Sequence, residues 1–150
     1  MDVNLDFSDL LSALNAERVK YLIVGAHALG FHGRPRFTKD LGVWVEPTPE
    51  NAARVFRALA VFGAPLDDLS EAELAQRDLV FQIGAPPIRI DIMTSITGVR
   101  FEDAWNDKEN STYGDVPVRI LGRQHLVANK RATGRTQDLV DLETLENERA

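Results

Sequence analysis

Two aspartates, Asp40 and Asp91, occupy the positions in this chain that are best suited to metal-assisted chemistry. Each is predicted to lie in a strand, on the side opposite to an alternating apolar set. These sets are Leu41, Val43 and Val45 in the first strand, and Ile88, Ile90 and Ile92 in the second. Neighbouring strands lie about 5 Å apart, so on adjacent strands the two carboxylates would meet and could hold magnesium together with substrate phosphates. The spacing is equally compatible with ordinary surface acids on a half-exposed sheet.

Two clusters of basic residues lie far apart in the sequence. They are Arg34, Arg36 and Lys39, just before Asp40, and Lys130, Arg131 and Arg135 further on. Each cluster is either a solvated charged face or one of two patches that face a single anionic ligand. In the second case Arg36 could pair with a phosphate as a planar, two-pronged donor.

The pair Gly25-Ala26 follows a predicted strand and opens a predicted helix. Glycine lets the backbone approach a phosphate closely, and the free N–H groups at a helix N-terminus favour anions. The pair therefore indicates either a phosphate-binding turn or a plain turn between a strand and a helix.

Other polar residues near these motifs are less suited to bind a metal. His27 and His32 are five residues apart, whereas a metal-binding pair on one helix face is four apart, and we expect His32 to brace its loop. Glu46 shares the face of Asp40 but lies more than about 10 Å further along an extended strand. It is therefore not expected to complete a site around Asp40.

The elements that must position these residues are predicted from apolar spacing and turn residues. Strands are predicted over 19–24, 40–46, 79–83, 88–93 and 116–121, and helices over 6–18, 26–31, 49–63, 124–132 and 137–148, with helical turns within 66–77 and 101–105. This order predicts the α/β (α+β) class, with helices packed on a mixed sheet of four or five strands. Pro117 predicts that the last strand lies at an edge, because proline cannot donate a ladder hydrogen bond.

Composition narrows the class of protein. The 150 residues, of which 44% are apolar and 27% charged, predict one globular domain over 1–150. The sequence has no cysteine, which excludes disulfides and thiolate chemistry, and its net charge of −6 disfavours a non-specific DNA binder. An acidic start and the lack of a long apolar run predict a cytoplasmic protein without a membrane segment.

The order of these motifs resembles the nucleotidyltransferase superfamily, which has the DNA polymerase beta-like fold. In that pattern a strand leads to Gly-Gly or Gly-Ser, a helix follows, and Asp-x-Asp stands on the next strand. The corresponding residues here are Gly25-Ala26 and Asp40-Leu41-Gly42. The segment from His32 to Asp40 is similar to the His-Gly-x-x-Arg-x-Thr-x-Asp segment of bacterial minimal and toxin-type members. The segment 126–142, with Lys130, Gly134-Arg135 and Asp138-Leu139-Val140-Asp141-Leu142, is also similar to these proteins.

The resemblance implies a set of site residues. Members of the superfamily hold two divalent ions with three carboxylates, of which Asp40 matches the first and Asp91 the third, while Gly42 stands in place of the second. Asp40 and Asp91 are thus the implied catalytic and metal-binding residues, with Mg²⁺ as cofactor. The implied nucleotide-binding residues are Gly25, Ala26, Arg36, Thr38 and Lys130. Asp138 and Asp141 are expected to pair with Arg131 or Arg135.

The resemblance implies a protein that binds a nucleoside triphosphate with magnesium and transfers its nucleotidyl group. The acceptor is a protein hydroxyl, an RNA end or a small molecule, and Gly42 predicts an impaired catalyst. The alternative is an inactive module that binds a nucleotide or a protein partner, for example the antitoxin of a toxin–antitoxin pair.

Overall fold

The computed structural model describes residues 4–33, 39–85 and 88–149. The strands are β1 (Tyr21–Val24), β2 (Asp40–Val45), β3 (Val80–Ala85), β4 (Ile88–Met93), β5 (Glu109–Tyr113) and β6 (Val116–Ile120). The helices are α1 (Leu5–Ala16), α2 (Gly25–His32), α3 (Pro49–Phe62), α4 (Glu71–Leu74), α5 (Phe101–Asn106), α6 (Arg123–Thr133) and α7 (Thr136–Arg149).

Within these ranges the strands form one six-stranded sheet in the order β3-β4-β2-β1-β6-β5. The β2–β4 and β1–β6 pairs are parallel and the other pairs are antiparallel. The predicted α/β class with a mixed sheet is confirmed, although the sheet has more strands than the four or five predicted.

The extra strand is β5, whose sequence Glu-Asn-Ser-Thr-Tyr lacks an apolar alternation. It pairs with β6 through a tight turn at Gly114, which has a φ of +59° and so favours glycine. The prediction that β6 lies at an edge was wrong, because β6 lies between β5 and β1. Pro117 is tolerated there because the pairing with β1 is registered at Ile120, beyond the proline.

The helix α3 fixes the ends of the central strands. Thr48 caps it by accepting a hydrogen bond from the Asn51 N–H at 3.2 Å, and Pro49 occupies its first turn. The buried Asn51 amide accepts from the Lys20 N–H at 2.8 Å and donates to the carbonyl oxygens of Lys20 and Glu46, both at 3.0 Å. One side chain thereby joins the start of β1 to the end of β2, which sets the register in which the residues of the site meet.

The predicted apolar face of β2 is part of the core, since Leu41, Val43 and Val45 are fully buried. On the opposite face, the buried Trp44 meets the ring of Phe101 edge-on at 5.0 Å. This contact closes one end of that face and leaves Asp40 exposed at the other end. In the described part of the chain, no helix combines the length and apolarity that a membrane crossing requires.

Candidate nucleotide-binding site

The site lies where β1 ends beside the start of β2. Val24 pairs with Gly42 across the β1–β2 ladder, and Gly42 pairs with Asp91 across the β2–β4 ladder. The end of β1, position 42 and Asp91 therefore form one row across the sheet. Asp40 lies two residues from Gly42 on the same face of β2, so both sequence-predicted carboxylates are brought to one face of the sheet, on adjacent strands.

Arg89 lies between these two carboxylates. Its Nη2 atom is 3.6 Å from Asp40 Oδ2 and 3.3 Å from Asp91 Oδ2. Its Nε atom is 3.1 Å from Asp91 Oδ1. Since one guanidinium nitrogen contacts both aspartates, the carboxylates face each other across a space that a single cation can occupy.

Asp91 is the more enclosed of the two acids, with a side chain that is 18% exposed against 53% for Asp40. Its Oδ1 atom is buried and faces Arg89 Nε without a well-directed hydrogen bond. A carboxylate oxygen in this condition can still coordinate a hard cation. Magnesium is commonly bound by one or two carboxylates together with substrate phosphates, so this pair fits a single ion.

The pair does not reproduce the set of three carboxylates that the family resemblance implies. Position 42 carries no side chain, and a Cβ atom built there would lie 3.1 Å from Val24 Cγ2 and 3.5 Å from Met93 Cε. Glu46 is directed elsewhere, because it pairs with Lys20 at 3.8 Å and accepts a hydrogen bond from Thr48. Among the residues described, no group of three acidic, histidine or cysteine side chains could hold a metal ion.

The helix α2 begins beside this row of residues. Gly25 has a φ of +70°, a conformation that other residues rarely adopt, so glycine is needed for the sharp entry from β1 into the helix. Val24 precedes the helix without a side-chain cap, and Gly25 and Ala26 are partly exposed. Among the described residues no side chain caps this helix, so its first N–H groups offer donors to an anion next to the carboxylates.

Of the remaining predicted site residues, Arg36 and Thr38 lie outside the described residues. Lys39, which follows them, accepts a hydrogen bond at its carbonyl oxygen from the Arg89 N–H at 3.0 Å. His32 contacts the Leu121 carbonyl oxygen through Nε2 at 2.7 Å, which is a structural contact. Its bracing of the loop stays a prediction, because residues 34–38 lie outside the described residues. His32 also lines a groove of about 900 Å³ near the start of α6, but neither Asp40 nor Asp91 lines this groove.

Lys130 lies in a buried cluster between α6 and α7. Its ammonium group is 3.2 Å from Asp138 Oδ1 and 3.0 Å from Asp141 Oδ2, and its side chain is 9% exposed. Asp138 also accepts hydrogen bonds from Arg135 Nε at 2.8 Å and from Thr133 Oγ1 at 2.6 Å. The Arg135 contact, supported by those of Thr133 and Lys130, holds the pKa of Asp138 well below its usual range despite burial.

The expected pairing of this region is partly corrected by these contacts. Asp138 pairs with Arg135 as predicted, and their hydrogen bond raises the pKa of Arg135. The charge of Asp141 also acts on Arg135 and helps to raise its pKa, but the ion pair of Asp141 is with Lys130. Arg131 pairs with Glu146 at 3.3 Å. Contact between Lys130 and a triphosphate stays a prediction, and it requires the ammonium group to be shared with two aspartates or to leave them. The burial of Lys130 between two aspartates was not predictable from the sequence, because it depends on how α6 and α7 pack.

The chain matches no protein-family model and no curated protein. Among solved structures, it is similar to the lincosamide antibiotic adenylyltransferase LnuA with bound lincomycin, with a TM-score of 0.61 and 13% identity over 97% of this chain and 98% of the other. It is also similar to a Thermotoga maritima protein provisionally assigned as a nucleotidyltransferase, with a TM-score of 0.62 and 15% identity over 95% and 91% of the two chains. The chain therefore has the nucleotidyltransferase fold, and the family resemblance in its sequence is confirmed at the level of fold.

Proposed function

We propose that this protein binds a nucleoside triphosphate with magnesium at Asp40, Asp91 and the start of α2, and transfers its nucleotidyl group to an acceptor hydroxyl. The observation that supports this proposal is the position of both carboxylates on adjacent strands of a nucleotidyltransferase fold, in line with an uncapped helix N-terminus. Gly42, which lies beside Asp91, stands where the family resemblance implies a further carboxylate, so we propose an impaired catalyst.

In the proposed reaction, the acceptor oxygen bonds to the α-phosphorus while the bond from that phosphorus to the bridging oxygen breaks. Pyrophosphate leaves with the electron pair, and the proton of the acceptor hydroxyl passes to a base. Asp91 is our candidate for this base because it is the less exposed carboxylate at the site. Asp40 and Asp91 would hold the magnesium ion, which would supply neutralising charge to the phosphate oxygens.

The remaining contacts in this proposal are to phosphate groups. The first N–H groups of α2, at Gly25 and Ala26, would donate to phosphate oxygens. Arg36, Thr38 and Lys130 stay predicted nucleotide-binding residues on the basis of the family resemblance. Since Lys130 is already paired with two aspartates, we expect it to contribute less than Arg36.

The acceptor is sought among three classes, namely protein hydroxyls, RNA ends and small molecules. The likeness to LnuA, a lincosamide adenylyltransferase that this chain matches over nearly its whole length, supports including lincomycin in the small-molecule class. Incorporation of labelled nucleotide from each of the four triphosphates would be measured for all three classes, with magnesium or with a chelator.

Transfer that needs magnesium and is lost in both Asp40→Asn and Asp91→Asn is the expected result. Arg57→Gln is the matched control, because Arg57 pairs with Glu17 on other elements and its loss should leave transfer unchanged. Absence of transfer to every acceptor, or transfer that survives both aspartate substitutions, would overturn the proposal.

The alternative function is an inactive module that binds a nucleotide or a protein partner such as an antitoxin. Two observations favour it, namely the absent carboxylate at Gly42 and the position of Arg89 between the remaining acids. This alternative takes first place if neither the parent protein nor Gly42→Asp transfers a nucleotide.

A further inference from the structure

The cation at the centre of the candidate site belongs to the protein itself. Arg89 contacts Asp40 through Nη2 and contacts Asp91 through both Nη2 and Nε, at distances between 3.1 and 3.6 Å. It thus occupies the space between the two carboxylates that a metal ion would have to enter.

The register of the sheet explains this position. Arg89 stands directly opposite Asp40 in the parallel β2–β4 ladder, and it precedes Asp91 by two residues on its own strand. All three side chains therefore project from one face, and the guanidinium lies within reach of one acid across the ladder and of the other along the strand. Opposite charges placed directly across a ladder attract, so this pairing is favoured.

The contact is also one that can be broken. Arg89 Nε and Asp91 Oδ1 are buried and 3.1 Å apart, yet within the described part of the chain neither atom makes a well-directed hydrogen bond. The Arg89 side chain is 31% exposed and the Asp40 side chain 53%, so solvent reaches the cluster and the guanidinium has a path away from it. Arg89 Nη2 also donates a hydrogen bond to Asp91 Oδ2 at 3.3 Å, so the attraction combines opposite charges with one hydrogen bond. A second cation at the same oxygens would weaken both.

We propose that Arg89 is an internal counter-cation that competes with a divalent metal ion for Asp40 and Asp91, so that metal binds only when the guanidinium leaves. This inference rests on the proposed function for its choice of ligand, because it concerns the metal of that site. Its consequence is that the protein without nucleotide binds metal weakly, and that removal of the positive charge at residue 89 strengthens metal binding.

The test is a titration of the purified protein with Mn²⁺ alone, in which free Mn²⁺ is followed by electron paramagnetic resonance. Arg89→Gln should bind Mn²⁺ about tenfold more tightly than the parent, because the competing charge is gone. Arg89→Lys keeps the charge and should bind as weakly as the parent. Arg57→Gln removes the same charge at a distant ion pair and should change the affinity less than about twofold, since exposed charges are screened by salt.

The double variant Arg89→Gln/Asp91→Asn identifies where the ion binds, because it should lose the affinity gained by Arg89→Gln. An affinity of Arg89→Gln that equals that of Arg57→Gln, or a gain that persists in the double variant, would overturn the proposal. Thermal melts would verify that each variant is folded.

A measurement on the unaltered protein keeps the proposal testable if Arg89→Gln does not fold. The Nε–H signal of Arg89 is assigned in the ¹⁵N spectrum of the parent by its loss in Arg89→Lys. This signal should shift when Mg²⁺ is added. A signal that does not move at a saturating Mg²⁺ concentration would contradict displacement of the guanidinium. These experiments contain no nucleotide, so their failure is distinguishable from a failure of nucleotidyl transfer. Tighter Mn²⁺ binding by Arg89→Gln without any transfer would support the competition and reject the proposed reaction. Nucleotidyl transfer by the parent without tighter Mn²⁺ binding by Arg89→Gln would support the reaction and reject the competition.

Discussion

The site on the sheet and the cluster between α6 and α7 use the same arrangement, a cation between two aspartates. On the sheet, Arg89 lies between Asp40 and Asp91, whose side chains are 53% and 18% exposed. Between the helices, Lys130 lies between Asp138 and Asp141, whose side chains are 1% and 3% exposed. The charges are the same, but the cost of separating them differs, because a buried ion that loses its partner cannot be solvated by water.

The comparison indicates different roles for the two clusters. The buried cluster joins α6 to α7 and is expected to behave as part of the folded structure. The more exposed cluster is the one in which we propose that a metal ion replaces the arginine. This difference leads to predictions whose expected effects decrease in the order given.

The largest effect is expected when the buried cluster loses Lys130, the cation that contacts both of its aspartates. Lys130→Met should lower the free energy of unfolding by about 3–5 kcal/mol, because the buried carboxylates of Asp138 and Asp141 would both lose the ammonium group that neutralises them. The matched change on the sheet, Arg89→Met, should cost less, about 1 kcal/mol, since the ion pairs of Arg89 with Asp40 and Asp91 are partly exposed and such pairs contribute little. Urea denaturation of both variants measures the difference. Equal losses would contradict the distinction between the clusters.

The next effect concerns completion of the exposed cluster. Gly42→Asp places a third carboxylate in the row of Asp91 and should raise magnesium-dependent nucleotidyl transfer by about tenfold or more. Val24 Cγ2 must yield by a few tenths of an ångström, because the new Cβ would lie 3.1 Å from it. Labelled-nucleotide incorporation is measured for Gly42→Asp and for Gly42→Asn. The two side chains have nearly the same shape, so a difference in activity between the variants reports the effect of the negative charge.

Magnesium should also raise the melting temperature of Gly42→Asp more than that of the parent. Three close carboxylates repel one another without metal, and a ligand that binds only the folded state stabilises it. If Gly42→Asn gains activity or metal-dependent stability to the same extent, the added carboxylate is not a ligand.

The smallest effect concerns a partly buried histidine, which has no ionic partner among the described residues. His27 Nε2 is buried with no hydrogen-bond partner in the described structure, and its ring contacts those of Phe7 and Tyr113. Burial lowers the pKa of His27 below 6.5. The unfolded chain therefore takes up a proton that the folded imidazole does not, and stability should fall as the pH decreases from about 6.5 towards the folded-state pKa.

His27→Phe should remove this part of the pH dependence, while His125→Gln should retain it. Denaturation curves between pH 7.5 and 5 measure the slope for each variant. A slope in His27→Phe that equals that of the parent would show that another group is responsible.

The sequence was sufficient to predict most elements and the shared face of Asp40 and Asp91, because both depend on local spacing. Sequence-based prediction failed at β5, because the polar residues of this strand show no apolar alternation. The strand forms because it can pair with β6. The edge position predicted from Pro117 failed because a proline matters only where its missing donor is needed, and the pairing with β1 lies further along at Ile120.

The contents of the site were harder to predict than its location. Arg89 shares the face of Asp91 because side chains two apart on a strand lie on one side. Its position between both acids also depends on the register of β2 against β4, which the sequence does not specify. The burial of Lys130 likewise depends on how α6 packs against α7. Long-range register and helix packing therefore account for what sequence reasoning missed at both clusters.

The most direct test of the account is calorimetric titration of the protein with ATP, GTP, CTP and UTP, with and without magnesium. We predict that at least one triphosphate binds, that magnesium strengthens its binding, and that Asp91→Asn removes the part of the affinity that depends on magnesium. Failure of the parent protein to bind any of the four, or the same magnesium dependence in Asp91→Asn, would contradict the assignment of a nucleotide site to Asp40 and Asp91.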